Sequence, residues 1–124
     1  MIVFDHIAIT SGNLEETRKF YIDYLGLVKH PEWHGDAGGG RMFEFYCDGG
    51  TNVCLEVGYV PGVIKEVPAS MSMPNHICFA VESVAEMVKK ADELGYKHEP
   101  IDVNGNTMVY DPDGTVIELV NADA

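Results

Sequence analysis

The stretch DHIAIT, residues 5–10, decides how this chain is read, because NHICFA, residues 75–80, repeats it. Each is a short apolar run with a histidine, His6 or His76, directly after a polar first residue. Side chains alternate along a strand, so His6, Ala8 and Thr10 share one face while Ile7 and Ile9 take the other. In the second copy His76, Cys78 and Ala80 oppose Ile77, Phe79 and Val81. Both strands thus have a small-residue face that carries the histidine and a bulky face suited to packing beneath a helix.

The repetition extends outward. After His6 comes Asn13-Leu-Glu-Glu16 and then a helical pattern, with Leu14, Thr17, Tyr21, Tyr24 and Leu25 on one side and Gly26 at the end. Asn13 is a good N-cap, Glu16 completes a capping-box-like start, and Gly26 suits the left-handed position that closes a helix of about three turns. After His76, Ser83-Val-Ala-Glu86 is a full capping box ahead of a helix that closes at Gly95. The histidines lie 70 positions apart and the closing glycines 69, so register is kept through strand, loop and helix. This is an internal duplication.

Strand patterns follow each helix. In the first half they are LVKHPEW (27–33), RMFEFYC (41–47), a DGGT turn and NVCLEV (52–57). In the second they are YKHEP (96–100), NTMVY (106–110), a DPDGT turn and VIELV (116–120). Each half reads β-α-β-β-β, which predicts an α+β fold of two tandem modules, about 1–58 and 75–124. An unpatterned connector at about 59–74 holds Pro61, Pro68 and Pro74. At 124 residues the chain is expected to form one domain.

Composition bounds the function. Hydrophobic residues are 46% and no apolar run approaches the roughly 18 residues of a membrane span, so a soluble globular protein is expected, with no membrane partner. The N-terminus has no basic segment or cleavage site of a secretory signal. A formal net charge of −12 disfavours nucleic acid, whose phosphates require clustered Lys and Arg. Cys47, Cys54 and Cys78 are odd in number and form no CxxC, so they read as small buried thiols of a cytoplasmic protein rather than a disulfide framework or zinc knuckle.

The last strand of each half carries a carboxylate. Glu56 shares its face with Asn52 and Cys54, opposite Val53, Leu55 and Val57, while Glu118 lies opposite Ile117 and Leu119. A carboxylate in so apolar a strand is costly to bury unless it is paired or bound to a cation. A single strand histidine is more often a hydrogen-bonded core residue than a ligand. Two histidines and two glutamates at matching places on the small-residue faces point instead to one shared metal site made of His6, Glu56, His76 and Glu118. This nitrogen and oxygen set without thiolate suits Ni, Co, Fe, Mn or Zn. If the ion is six-coordinate, two positions stay open for water or substrate oxygens, as in a catalytic site.

With DHIAIT, LEETRKFYIDYLG, the Glu56 of CLEV, the His76 of NHICF and YDPDGTVIEL (110–119), the chain resembles the glyoxalase I branch of the vicinal oxygen chelate superfamily. The resemblance implies two modules forming cupped, eight-stranded mixed sheets around one divalent metal held by His, Glu, His and Glu, the order of His6, Glu56, His76 and Glu118. It implies isomerisation of the hemithioacetal of methylglyoxal and glutathione, with Glu118 as principal base and Glu56 facing the opposite side of the substrate. A Lewis-acid ion stabilises enediolate charge, and a carboxylate moves a proton between adjacent carbons. It also implies a homodimer in which His6 and Glu56 of one chain share a site with His76 and Glu118 of the other.

Departures concern the thiol. Glutathione-using glyoxalases commonly place Arg and Asn where this chain has Thr10 and Val60, so thiols other than glutathione are expected to serve. Of the two arginines, Arg18 lies on the first helix and Arg41 borders the cavity. GDAGGG (35–40) lacks the strand-to-helix context of a phosphate loop and reads as a flap or a plain loop, and Trp33 and Phe43 could line a pocket but read first as core residues. Two other functions stay open. A methylmalonyl-CoA epimerase-like isomerase would carry Gln in place of Glu56, and a bleomycin-resistance-like binding protein would lack the metal set.

Overall fold

A computed structural model describes residues 1–50, 53–61 and 75–122. The face position of Asn52, the end of the DGGT turn at Thr51 and the expected connector from residue 62 onward, with Pro68 and Pro74, lie outside the described residues. The chain divides into two compact units, Met1–Ile64 and Lys65–Ala124. Their boundary falls inside the segment expected to connect the modules.

The first unit contains β1 (His6–Ser11), α1 (Leu14–Arg18), a π-helical continuation (Lys19–Tyr24), β2 (Val28–Asp36), β3 (Met42–Cys47) and β4 (Cys54–Tyr59). Its sheet has the order β1-β4-β3-β2, with β1 parallel to β4 and the other pairs antiparallel. The second unit contains β5 (Ile77–Val81), α2 (Val84–Leu94), β6 (Thr107–Tyr110) and β7 (Val116–Asn121). Its sheet has the order β5-β7-β6, with β5 parallel to β7. In both units the first strand therefore lies parallel to the last, and the duplication extends to strand pairing.

The caps follow the sequence. Asn13 Oδ1 accepts from the Glu16 N–H at 3.2 Å, and Ser83 Oγ accepts from the Glu86 N–H at 3.2 Å. Gly95 closes α2 at φ 79°, in the left-handed region that favours glycine. The first helix differs from the expected uniform three turns, because its winding widens at Lys19. The Leu25 N–H reaches back to the Phe20 carbonyl, a five-residue step. The π-helical segment buries three rings, Phe20, Tyr21 and Tyr24, and Tyr21 meets Tyr46 of β3 with centroids 6.1 Å apart. Phe20 is thus a core residue outside the expected apolar stripe.

The bulky faces of β4 and β7 are buried as expected, through Leu55, Val57, Ile117 and Leu119. Burying each such side chain is worth about 1.5–3 kcal/mol. Ile7 stays partly exposed because β1 is a sheet edge. Seven strands form among the described residues where eight were expected. Residues 96–100 pair with β6 only through the isolated bridge His98↔Val109, because Pro100 has no N–H to extend a ladder. Side chains anchor the segment instead: the His98 ring bonds the Glu99 carbonyl at 2.8 Å and Asp92 Oδ1 at 2.7 Å, and Thr107 Oγ1 donates to the Glu99 carbonyl.

Beneath the first helix a buried carboxylate, Glu44, gathers partly exposed cations. Arg18 donates through Nε and Nη2 to both oxygens of Glu44, at 2.8 and 2.7 Å, while Lys29 Nζ lies 3.0 Å from Oε2 and Tyr46 O–H donates to Oε1 at 2.8 Å. Burial pushes the Glu44 carboxyl up, but these three donors overcome it and hold the group down at about 2. Tyr46, buried and bonded to that carboxylate, is pushed the other way.

Candidate metal centre

His6 opens β1 and Glu56 sits mid-way along β4. In their parallel ladder His6 stands opposite Cys54 and Ala8 opposite Glu56, so all four side chains share one face. On the other side of Glu56 is Phe45, whose ring meets His6 edge-on at 5.3 Å. His6 Nδ1 lies 2.7 Å from Asp5 Oδ2. A carboxylate only accepts, so Nδ1 carries the proton and Nε2 keeps a lone pair for a ligand.

His76 directly precedes β5, and Glu118 stands opposite Cys78 in the parallel ladder with β7. His76 Nε2 is 3.5 Å from Glu118 Oε1, both partly buried. Burial first, and then the hydrogen bond to Glu118, push the Cys78 thiol up to about 11, so it stays a protonated donor beside the carboxylate. In both units the glutamate is opposite the residue two places after the histidine: Ala8 faces Glu56 and Cys78 faces Glu118.

Each unit therefore presents one imidazole and one carboxylate. Among the described residues no three His, Cys, Asp or Glu side chains gather as a ligand group, and the two pairs belong to separate units. The chemistry of the donor set fits a divalent ion: two nitrogen and two oxygen donors, with His6 already held in the tautomer that ligation needs.

Other expectations need correction. Cys47 and Cys54 form a disulfide, and only Cys78 among the three is a free thiol. The hairpin register sets Cys47 directly opposite Cys54 with Cα atoms 4.4 Å apart, so a spacing that matches no motif still pairs them. Cys78 is an exposed residue rather than a core one, although its sulfur is partly shielded beside Glu118. Trp33 is also outside the core, at 51% exposure. GDAGGG forms the hairpin turn between β2 and β3, closed by the Ala37 N–H to the Arg41 carbonyl at 2.8 Å, with Gly38, Gly39 and Gly40 at positive φ. Arg41 bonds back to the Gly38 carbonyl in the same turn. Thr10 lies on the His6 face of β1, and the exposed Val60 donates its N–H to the Ser11 carbonyl. Phe45 was not among the expected site residues, although it alternates with Glu44 and Tyr46 and so had to face His6.

The glyoxalase/bleomycin resistance protein/dioxygenase superfamily model matches residues 3–119. The chain belongs to that superfamily. Its relatives in this superfamily include Glyoxylase I 4 of Arabidopsis thaliana, 27% identical over 97% of this chain and 71% of that protein. The solved trypanothione-dependent glyoxalase I of Leishmania major is similar at a TM-score of 0.79 and 28% identity, over 98% of this chain and 87% of that one. TnmS3, an antibiotic-binding protein of a Streptomyces species, is similar at a TM-score of 0.72 and 16% identity, over 99% and 98% of the two chains. The last likeness is one of fold alone. Among the described residues no helix is long and apolar enough to cross a membrane.

Proposed function

We propose that this protein is a divalent-metal-dependent isomerase of the glyoxalase I type, acting on the hemithioacetal of a 2-oxoaldehyde and a thiol. The observation that carries this is the matched pair of ladders, each setting a glutamate opposite the second residue after a histidine. His6, Glu56, His76 and Glu118 are the ligands, two from each unit. The ion, whether Ni, Co, Zn, Mn or Fe, supplies Lewis-acid stabilisation of negative charge on the substrate's paired oxygens. Glu118 takes the proton from one substrate carbon and returns it to the neighbouring one, and Glu56 faces the opposite side of the substrate. Asp5 orients His6 through Nδ1.

Thr10 and Val60 offer neither a cation nor an amide to a peptide thiol, so the enzyme accepts thiols besides glutathione. The similar Leishmania enzyme is itself trypanothione-dependent. The working assembly is a homodimer with sites shared between chains. A drug-binding protein without chemistry would have no use for the two His–Glu pairs, and a CoA-ester epimerase is disfavoured by the carboxylate at Glu56. The test is thioester formation from methylglyoxal hemithioacetals of glutathione and of neutral thiols, with each metal supplied in turn and CoA esters run in parallel. Metal-dependent thioester formation supports the proposal. Its absence with every metal and thiol, or epimerisation of a CoA ester instead, contradicts it.

A further inference from the structure

The two glutamates of the matched ladders have different neighbours. Glu56 lies between Ala8 of β1 and Phe45 of β3, a methyl group and a ring with no proton to donate. Glu118 lies between Cys78 of β5 and Met108 of β6. A thioether has no proton either, so of these four flanking side chains only the Cys78 thiol can donate. It is hydrogen-bonded to the Glu118 carboxylate, and because a carboxylate only accepts, the S–H is the donor. His76 Nε2, at 3.5 Å, is too distant to hold that carboxylate firmly, so the thiol supplies the hydrogen bond.

Chemistry sets what such a donor is good for. A carboxylate that carries a proton between two carbons must keep one orientation and still be basic. Every donor that orients it also stabilises its charged form and so weakens it as a base. Glu44 shows the extreme: Arg18, Lys29 and Tyr46 fix it firmly and leave it unable to act as a base near neutrality. An S–H group is a weak donor, so it orients a carboxylate at small cost in basicity. The duplicated positions Ala8 and Cys78 therefore differ in the property that separates two otherwise matching glutamates.

We infer that Cys78 is the positioning residue of Glu118, and that its S–H, which has no counterpart at Ala8, makes Glu118 rather than Glu56 the glutamate that moves the proton. The inference rests on the proposed isomerase activity and names the side chain that sets its two carboxylates apart.

Wild type is compared with Cys78→Ala, which copies the first unit, and Cys78→Ser, which restores a donor, by steady-state kinetics on methylglyoxal hemithioacetals and by metal content. Cys78→Ala should lower kcat roughly threefold to tenfold with KM and metal content unchanged, and Cys78→Ser should regain most of the loss. The contact itself is read without turnover. With Cys47 and Cys54 joined, Cys78 carries the single S–H of the chain. Its infrared stretching band should shift toward that of a weaker hydrogen bond in Glu118→Gln, because a neutral amide is a poorer acceptor than a carboxylate. An unmoved band, or an unchanged kcat in Cys78→Ala beside an active wild type, overturns the inference and leaves the isomerase standing. A loss of kcat that Cys78→Ser does not restore also overturns it, as an effect of packing, and a loss of metal in Cys78→Ala would make the thiol a ligand instead. A shifted band in a wild-type protein that turns over no hemithioacetal with any metal removes the isomerase and, with it, the role given to Cys78.

Discussion

Nε2 of His76 lies 3.5 Å from Oε1 of Glu118, a histidine at the mouth of β5 set against a carboxylate two steps along β7. The separation is long for a strong direct hydrogen bond, so the two side chains are neighbours rather than a tightly bonded pair. In the other unit, the ladder places His6 and Glu56 at the same offset. Side chains that unrelated packing needs would produce would have no reason to keep that offset twice.

Glu118 is the proposed base, and Glu118→Gln keeps its shape while removing its charge and basicity. Turnover should fall by roughly 10²–10⁴-fold, the usual contribution of a positioned base, while the fold is retained. Steady-state kinetics beside a circular dichroism spectrum checks this. Near-normal turnover in the folded variant would assign the proton transfer to another group.

Glu44 makes the fold acid-sensitive. Its carboxyl is held at about 2 in the folded chain against an ordinary 4.5, so below the latter value the unfolded chain takes up the proton more readily. The stabilisation is complete above pH 4.5 and is lost as pH falls from there toward about 2. Glu44→Gln should cost about 2–3 kcal/mol near neutrality, with the gap from wild type closing over that acid range. Urea unfolding at several pH values measures it, and a gap that is independent of pH would remove the network from the account.

The Cys47–Cys54 pair fixes a thiol count. Alkylation of the denatured, unreduced chain should label Cys78 alone, and prior reduction should expose all three cysteines. Mass spectrometry reads the difference. Three labels before reduction would mean that the hairpin holds two thiols side by side without a bond.

Sharing of sites between chains is tested by complementation. A His6→Ala, Glu56→Ala variant is mixed with a His76→Ala, Glu118→Ala variant under conditions that exchange subunits. With shared sites, a heterodimer has one site with all four substitutions and one with none, so activity partly returns. Demonstrated exchange with neither metal nor activity regained would place each site within a single chain.

The fold was legible where local chemistry repeats: Asn13 and Ser83 cap as their side chains dictate, and Gly95 closes its helix. It was less legible where tertiary packing overrides the local pattern. The π-helical segment answers the need to bury Phe20, Tyr21 and Tyr24 together, which no 3.6-residue count anticipates. The disulfide depends on hairpin register rather than on motif spacing. In the candidate site, the facing of each histidine and glutamate followed from alternation alone. The reasoning that a strand carboxylate needs a partner applies equally to Glu44, whose partner Arg18 is on the helix above. Trp33 escaped because its exposure depends on a bulge at Pro31, and a single aromatic in a sequence gives no sign of which side of a bulge it takes.

The claim on which the rest depends is that His6, Glu56, His76 and Glu118 hold a divalent metal. The most direct measurement is elemental analysis of the purified, metal-loaded and desalted protein beside a His6→Ala, His76→Ala variant verified as folded. Wild type should retain about one divalent ion per chain, held by four side chains, and the variant should retain essentially none. Equal metal in the two proteins would contradict the account.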